Sequence, residues 1–397
     1  MPPILTQQAF LQATLTNFFF FASLNCFVLL PLYIQQLGGT EVAIGVVMGL
    51  YSGVGILCQP LVGPWVDAFG RRPFMILGTL LVLASSLLAS VATAIPLLAV
   101  VRAMQGLGFS AFFVANYAYV IDLVPVERRG WALGIYGVSG MASTALAPLM
   151  GELVIRRFGF RALFLVCGVL ALVTCVLLWN LREGERVDLP TAPDVTSTQA
   201  LLADVFHRHM AITVFFGLAT GTIFAFLPTF GESLGVRTLA LFYTAYAGAA
   251  MGVRVLGGHW IDTRGRRAVI VPSMFMQVLA GGLLAALAFL ASRVANVPAL
   301  AVLFVTGLIA GAGHGFLYPG LAALVADQAH EARRGTVVGV FSAVFLVGNS
   351  SGAFAFGWVA HHLGYGVMWS VLTVLLFAGA LLSLGLPPHR ARALPAG

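Results

Sequence analysis

Most of the charged side chains that could act together in this sequence lie in two similar short turns. Both follow the pattern Gly-x3-Asp-x2-Gly-Arg-Arg, and each stands between two long apolar stretches. The aspartate can pair with the arginines, and the second glycine allows a tight turn because it has no β-carbon. The residues concerned are Gly63, Asp67, Gly70 and Arg71 in the first copy and Gly258, Asp262, Gly265 and Arg266 in the second.

A further aspartate accompanies each turn. Asp122 and Asp327 each end a later apolar stretch on the same side of the membrane as the turn. We therefore expect two charge clusters that hold helix ends together, although the same residues could serve only to set topology. The clusters consist of Asp67, Arg71 and Asp122, and of Asp262, Arg266 and Asp327.

Ionisable side chains are rare within the apolar stretches, where a charge is costly and is therefore a candidate functional group. Of the 14 acidic residues, only Glu152 is expected to be embedded, about one turn from a helix end, and none lies at mid-depth. Glu152 is one candidate for binding and releasing a proton. His314 is the other, because an unperturbed imidazole titrates near neutral pH.

A polar and aromatic stripe follows one helical face and contains Arg102, Gln105, Phe109 and Asn116. Residues at steps of three and four share a face of a helix. Such a stripe on a membrane span is expected to face an internal cavity rather than lipid. We also predict that Arg102 pairs with Glu152 near the outer face. The alternative is that Arg102 only bridges helices and packs the bundle.

These residues are positioned by helices that cross a membrane. The chain has 397 residues, of which 60% are hydrophobic and 9% charged, whereas soluble domains carry about 25% charged residues. A bilayer span needs about 20 apolar residues. We predict an all-α polytopic membrane protein with 12 transmembrane helices in two pseudo-symmetric six-helix bundles. The expected bounds of spans 1 to 12 are 10–33, 42–65, 72–93, 96–121, 130–154, 160–181, 210–231, 237–260, 267–291, 297–325, 335–359 and 365–386.

The net charge of +7 does not indicate nucleic-acid binding. All 21 cations are arginine and most stand at helix ends, where they set topology. Their distribution predicts that both termini are cytoplasmic. The four cysteines lie inside apolar stretches, so neither a disulfide nor a metal site is expected. There is no phosphate-binding loop and no convergent catalytic group, so we expect neither a primary pump nor an enzyme.

The sequence divides into two repeated halves. The charged turns recur at an offset of 195, and a Phe-x3-Pro motif recurs from Phe27 to Phe224 at an offset of 197. An acidic stretch with two prolines separates the halves. This predicts an N-terminal six-helix bundle at 1–182, a cytoplasmic linker at 183–209 and a C-terminal six-helix bundle at 210–397. Both halves begin on the same side, so the repeat is parallel.

The repeated turns, with the pattern Arg-x2-Gln-Gly-x-Gly at 102–108, resemble motifs of the major facilitator superfamily of secondary transporters. The resemblance covers nearly the whole chain, and bacterial efflux-type members are the most similar. The first turn departs from the family pattern at Trp65 and Ala68. Span 5 only partly matches the glycine-rich motif of drug–proton antiporters, because Ser143 and Ala147 replace two glycines.

The resemblance implies that spans 1, 4, 7 and 10 line a substrate cavity. It also implies that Asp67 faces the N-terminus of span 11 when the cytoplasmic side is shut, so that the charged turns act as a conformational latch. Arg254 is expected to brace the second turn rather than bind substrate, unless the substrate is anionic. The predicted cavity residues are Asn25, Arg102, Gln105, Phe109, Asn116, Tyr136, Tyr246, His314, Tyr318 and Asn349.

We therefore expect a monomeric, multi-pass secondary active transporter of a bacterial cytoplasmic membrane that works by alternating access. The expected activity is efflux of a small amphipathic, drug-like or sugar-like solute, driven by a proton gradient and without a cofactor or metal. Its expected partners are that solute and the lipid bilayer. Three alternatives stay open: facilitated uptake or uniport, which the missing mid-membrane carboxylate favours, lipid translocation, and a transport-dead membrane sensor.

Overall fold

The computed structural model describes residues 4–124, 129–179, 181, 208–294, 296–328 and 334–387. Every regular element in these ranges is a helix. The expected linker lies outside the described residues as far as position 207, and a helix begins at Arg208.

The helices follow the order of the predicted spans. In the first half they are Ile4–Asn25, the 3-10 helix Cys26–Leu29 and Leu30–Gln36 (together span 1), Glu41–Phe69 (span 2), Arg71–Val91 (span 3), Ile95–Leu123 (span 4) and Arg129–Trp179 (spans 5 and 6). In the second half they are Arg208–Ser233 (span 7), Ala240–Gly257 (span 8), the single turn Trp260–Thr263, Arg266–Ala291 (span 9), Ala299–Gln328 (span 10) and Arg334–Leu384 (spans 11 and 12).

Two of these helices are 51 residues long, and each contains two spans. Gly159 and Gly364 separate those spans with a φ angle of 79°, a conformation that glycine adopts readily. Among the described residues, nine helices are long and apolar enough to cross a membrane. Two of the nine contain two spans each, which gives eleven spans. The 18-residue helix of span 8 is the twelfth. The prediction of 12 spans is therefore confirmed.

Span 1 is not one continuous α-helix. Its middle, Cys26–Leu29, is a 3-10 turn, and Pro31 in the following helix has no N–H to continue the hydrogen-bond ladder. The matching Pro228 of the second half lies inside an uninterrupted helix. The repeated Phe-x3-Pro motif thus has two local structures, because its context and not the motif alone decides where the helix breaks.

The same helix pairs pack together in both halves. In the first half, span 1 packs against span 5, span 2 against span 4, and span 3 against spans 4 and 6. In the second half, span 7 packs against span 11, span 8 against span 10, and span 9 against spans 10 and 12. Each pairing of the second half repeats one of the first with six added to the span numbers, so the two bundles are pseudo-symmetric.

The two membrane faces differ in which helix ends they carry. We call the face at which spans 1 and 7 begin the terminal face, and the opposite one the distal face. Because successive spans alternate in direction, Gly70 and Gly265 lie at the terminal face, and Gly159 and Gly364 lie at the distal face. A cytoplasmic location of the terminal face stays a prediction from the arginine distribution.

Two glycine contacts hold equivalent helix pairs close together. A β-carbon on Gly106 would collide with the carbonyl oxygen of Tyr51, and one on Gly311 would collide with that of Tyr246. Small residues allow membrane helices to bring their backbones together in this way. The two tyrosines are 195 residues apart, like the charged turns. Spans 2 and 4, and spans 8 and 10, are therefore packed as units that a side chain would separate.

We predict that Gly311→Val lowers the melting temperature of the purified protein. The added side chain must displace the backbone of span 8, and overpacking of this kind costs about 1–3 kcal/mol. Differential scanning fluorimetry in detergent measures the change. Gly248→Ala is the matched control, because a β-carbon there meets no heavy atom within 4 Å. Equal melting temperatures for the two variants would contradict the close packing of spans 8 and 10.

Candidate functional site

Two helix pairs carry most of the contact between the two halves. The first pair consists of spans 2 and 11. Ser350 of span 11 donates a hydrogen bond to the carbonyl oxygen of Gly49 at 3.0 Å. Closer to the distal face, Nδ1 of His361 lies 3.3 Å from a carboxylate oxygen of Glu41. This side of the space between the halves is therefore closed by direct contact.

Spans 5 and 8 form the second pair, and their contact centres on Glu152. One carboxylate oxygen of Glu152 accepts a hydrogen bond at 2.8 Å from the backbone N–H of Ala240, the first residue of span 8. The other oxygen lies 3.4 Å from Nη2 of Arg156, which also donates to the carbonyl oxygen of Arg237. A helix N-terminus stabilises a nearby carboxylate through its unpaired N–H groups. We call Glu152, Arg156 and the Ala240 N–H the distal latch.

Contacts between the same helix pairs become fewer toward the terminal face. Contacts do remain there: a β-carbon on Gly55 would lie 3.3 Å from Leu346, and Nη1 of Arg254 lies 3.6 Å from the β-carbon position of Gly137. On the terminal side of Ser52 and Thr244, no hydrogen bond between two described residues joins span 2 to span 11 or span 5 to span 8. The hydrogen bonds between the halves are therefore concentrated in the middle and distal parts of these spans.

A buried network of amide and hydroxyl groups joins spans 1, 4 and 5. Asn116 donates to the hydroxyl oxygen of Tyr136 at 3.2 Å, and Asn17 donates to Oγ of Ser139 at 2.8 Å. Asn116 also lies 3.5 Å from Oδ1 of Asn17, and its own Oδ1 is buried without a hydrogen-bond partner. The structure thus brings the predicted residues Asn116 and Tyr136 together. Sequence reasoning did not find Ser139, because a serine in a helix gives no distinctive pattern.

Asn25 has a similar role about two turns further along span 1. Its amide donates to Oγ of Ser143 at 2.8 Å and to Oγ1 of Thr144 at 3.1 Å. Ser143 stands where the family pattern has glycine, and this contact gives it a partner. Polar groups of this half are therefore largely occupied by one another.

The predicted residues of the second half surround one histidine. The ring centre of His314 lies 5.4 Å from that of Tyr246 and 6.4 Å from that of Tyr318, on which it is stacked. Phe216 of span 7 is 5.0 Å away on another side. His314 is buried, and its Nδ1 has no hydrogen-bond partner. This half of the site is therefore aromatic with an unused nitrogen.

Arg102 lies within the first half rather than next to Glu152. It is 6% exposed, its guanidinium donates to Oε1 of Gln105 at 2.8 Å, and it lies 4.4 Å above the ring centre of Tyr51. The predicted pair of Arg102 and Glu152 is not formed in this conformation, because Glu152 is occupied by the distal latch. Phe109 also contacts Tyr51, with ring centres 5.5 Å apart.

Asn349 and Arg254 have contacts other than those expected from sequence. Oδ1 of Asn349 accepts a hydrogen bond from Ser52 at 2.8 Å, so this amide belongs to the closed contact between the halves. A bracing role of Arg254 at the second turn stays a prediction, because the side chain of Asp262 lies outside what the structure describes. Nε of Arg254 donates to the carbonyl oxygen of Gly315 at 3.3 Å, and its Nη1 lies 3.6 Å from the position that a β-carbon of Gly137 would take.

The charged turns show the same ion pair in both halves. Arg71 lies 3.1 Å from Asp122, and Arg266 lies 3.0 Å from Asp327. Gly70 and Gly265 have φ angles of 99° and 86°, as tight turns at these positions require. The side chains of Asp67 and Asp262, and residues 329–333 before span 11, lie outside what the structure describes. The latch at this face stays a prediction.

Two pseudo-symmetric bundles of helices long and apolar enough to cross a membrane define a polytopic membrane protein. The chain belongs to the Major Facilitator Superfamily, whose family model matches residues 13–304 and 278–397. Members of this family are transporters rather than enzymes, and they bind small molecules within the membrane. Among the described residues, no three histidine, cysteine or acidic side chains come together as metal ligands.

Similar proteins include exporters. The chain is 23% identical over 379 residues to the staphylopine export protein of Staphylococcus aureus, with 93% of each chain covered. It is 24% identical over 363 residues to the multidrug resistance protein MdtL of Shigella dysenteriae, covering 89% of this chain and 88% of the relative. A solved bacterial homologue of the human lysosomal transporter Spinster, inward-facing and unoccupied, has a TM-score of 0.77 at 14% identity and covers 96% of this chain and 97% of that one. The predicted family, with efflux-type relatives, is confirmed.

We predict that Glu152→Gln loosens the distal latch. A hydrogen bond to a charged group contributes about 1.5–3 kcal/mol, so its loss should speed hydrogen exchange of the Ala240 amide by about tenfold or more. Hydrogen-exchange mass spectrometry of peptides covering the start of span 8 measures this. Glu232→Gln is the control, because Glu232 is an exposed acid at the same face. Unchanged exchange in Glu152→Gln would show that the carboxylate does not hold the two halves together.

Proposed function

We propose that this protein is a proton-coupled secondary transporter that exports a small amphipathic, drug-like or sugar-like solute by alternating access. The observation that carries the proposal is the one-sided distribution of hydrogen bonds between the halves: among described residues, those that join span 2 to span 11 and span 5 to span 8 lie in the middle and distal parts of these spans. A solute could enter the space between the halves from the terminal face. It could leave at the distal face after the distal contacts break and contacts at the terminal face form.

The arrangement in the cell follows from the arginine distribution. In the proposal the terminal face is cytoplasmic, and the bundles at 1–182 and 210–397 rock against each other with 183–209 as their connection. The protein acts as a monomer in a bacterial cytoplasmic membrane. The names of two relatives, an export protein and a multidrug resistance protein, support outward transport.

The walls of the central space support a weakly polar solute. Phe109 stacks on Phe113 with ring centres 5.2 Å apart, and Phe224 lies 5.6 Å from Tyr246 on the opposite side. Ligand sites are typically mostly apolar with a few placed polar groups. Aromatic walls with amide and hydroxyl groups would suit a solute with an apolar body.

Proton coupling would act through the distal latch. Glu152 must leave the N-terminus of span 8 before the distal face can open, and its protonation removes the charge that this contact stabilises. The groups around it are Arg156, the Arg237 carbonyl and the nearby Tyr243 ring. His314 is the second candidate, because it is buried in the central site and could exchange a proton with solute.

The terminal face would need its own latch when the distal face is open. In the proposal Asp67 then binds the N-terminus of span 11, and the Arg71–Asp122 pair holds the turn in place for that contact. The second turn, with Asp262, Arg266 and Asp327, would act in the same way for the other half. The two latches would alternate, so that one face is shut at any time.

We expect solute-dependent proton movement in liposomes that contain the purified protein and a trapped pH-sensitive dye. In Glu152→Gln, solute should still equilibrate but proton movement should be lost. Glu232→Gln should behave as wild type. Saturable solute flux without proton movement in the wild type would favour a uniporter and overturn the coupling.

We expect Asp67→Asn to reduce transport about tenfold or more without reducing the amount of protein in the membrane. The loss of a charge-assisted hydrogen bond, about 1.5–3 kcal/mol, would disfavour the state closed at the terminal face. Uptake of a fluorescent solute into everted vesicles measures this, with Glu232→Gln again as control. Normal transport by Asp67→Asn would refute a latch at this face.

A further inference from the structure

One arginine of the central site reaches from the second half toward the first. Arg254 lies on span 8, and its Nε donates to the Gly315 carbonyl of span 10 at 3.3 Å. Its Nη1 comes within 3.6 Å of the β-carbon position of Gly137 on span 5. The guanidinium therefore lies between the two halves, on the terminal side of the distal contacts.

No carboxylate that the structure describes accompanies this cation. Glu41, Glu152 and Glu232 lie at the distal face, while Asp122 and Asp327 pair with arginines at the terminal face. The groups that interact electrostatically with Arg254 are instead Tyr246, His314 and Tyr318. Among the side chains that the structure describes, the guanidinium therefore has no carboxylate partner, and an anion that binds beside a partly buried cation offsets the cost of burying it.

Three side chains with potential hydrogen-bond donors interact electrostatically with the guanidinium. The donor groups are the hydroxyl groups of Tyr246 and Tyr318 and the ring of His314, whose Nδ1 is buried without a partner. Tyr318 also interacts with Ser342. Arginine with its planar fork of N–H groups is well suited to carboxylates. The cluster can therefore hold one small anionic group.

The surroundings indicate what the rest of such a ligand is like. Phe216 and Phe345 lie 5.2 Å apart beside the cluster, and Phe345 also contacts Tyr318 at 5.6 Å between ring centres. On the opposite half, Tyr117 interacts electrostatically with Tyr318 and continues a row of rings through Phe113. An anionic head with an aromatic or other apolar body fits these walls.

The pseudo-symmetry shows that Arg254 is not simply a repeated packing residue. Tyr51 and Tyr246 are equivalent, and each has an arginine nearby. Arg102 comes from span 4, lies on the Tyr51 ring and bonds to Gln105, so its contacts remain inside its own half. Arg254 comes from span 8 and extends out of its half. Only the second cation is placed to meet a ligand.

We propose that Arg254, with Tyr246, His314 and Tyr318, forms an anion subsite in the central space, and that the transported solute is a small amphipathic organic anion such as an aromatic carboxylate. This inference rests on the proposed transport function and specifies its substrate class.

The test compares a carboxylate with its neutral amide. Purified protein in detergent is titrated with indole-3-acetate or indole-3-acetamide, and the melting temperature is followed to obtain an apparent Kd. We expect the acid to stabilise wild type more than the amide does. Arg254→Gln should weaken binding of the acid about tenfold or more, and Arg254→Lys should weaken it less. Arg293→Gln, a change at an exposed arginine of the distal face, should bind like wild type.

Other outcomes overturn the subsite. Equal stabilisation by acid and amide, or unchanged acid binding in Arg254→Gln, would show that Arg254 does not select an anion. The melting temperature without ligand shows whether each variant is folded. The dye-loaded liposomes then separate the two proposals: movement of neutral or cationic solutes alone removes the anion subsite but keeps the transporter, and movement of no solute removes both.

Discussion

A charge inside the apolar layer of a membrane must find a partner, and this constraint accounts for where nearly every ionisable group of the protein lies. At the terminal face, Arg71 and Arg266 are matched by aspartates. Near the distal face, Glu152 is matched by a helix N-terminus and by Arg156. Arg102 has an aromatic face and an amide as partners. The Glu152 contact joins the two halves, whereas the Arg71–Asp122 and Arg266–Asp327 pairs each join helices of one half.

Glycine contacts join helices both within and between the halves. Within each half, Gly106 or Gly311 brings two backbones into contact, and the same helix pairings are repeated. Between the halves, a β-carbon on Gly45 would collide with the carbonyl oxygen of Ala353, and hydrogen bonds join spans 2 and 11 and spans 5 and 8. A rocking motion that opens the distal face would have to break these contacts while each half keeps its own close packing.

The sequence predicted the repeated architecture well because apolar length and the Gly-x3-Asp-x2-Gly-Arg-Arg turns are local signals. It also brought out His314, Tyr246 and Tyr318, which do lie together. It was wrong about the Arg102–Glu152 pair, because that pair depends on which of several helix neighbours a long side chain reaches. The capping of span 8 by Glu152 could not be read from spacing either, since its partner is a backbone N–H 88 residues away.

The single-residue turn at Gly159 has a mechanical consequence. Spans 5 and 6 have no loop between them that could absorb movement, so a tilt of span 5 on opening the distal face must carry span 6 with it. Span 6 exposes an apolar row that includes Leu165, Val169, Leu172 and Val176, and this row would sweep through the surrounding acyl chains. The thickness and lateral pressure of the bilayer would therefore contribute to the free energy of this movement.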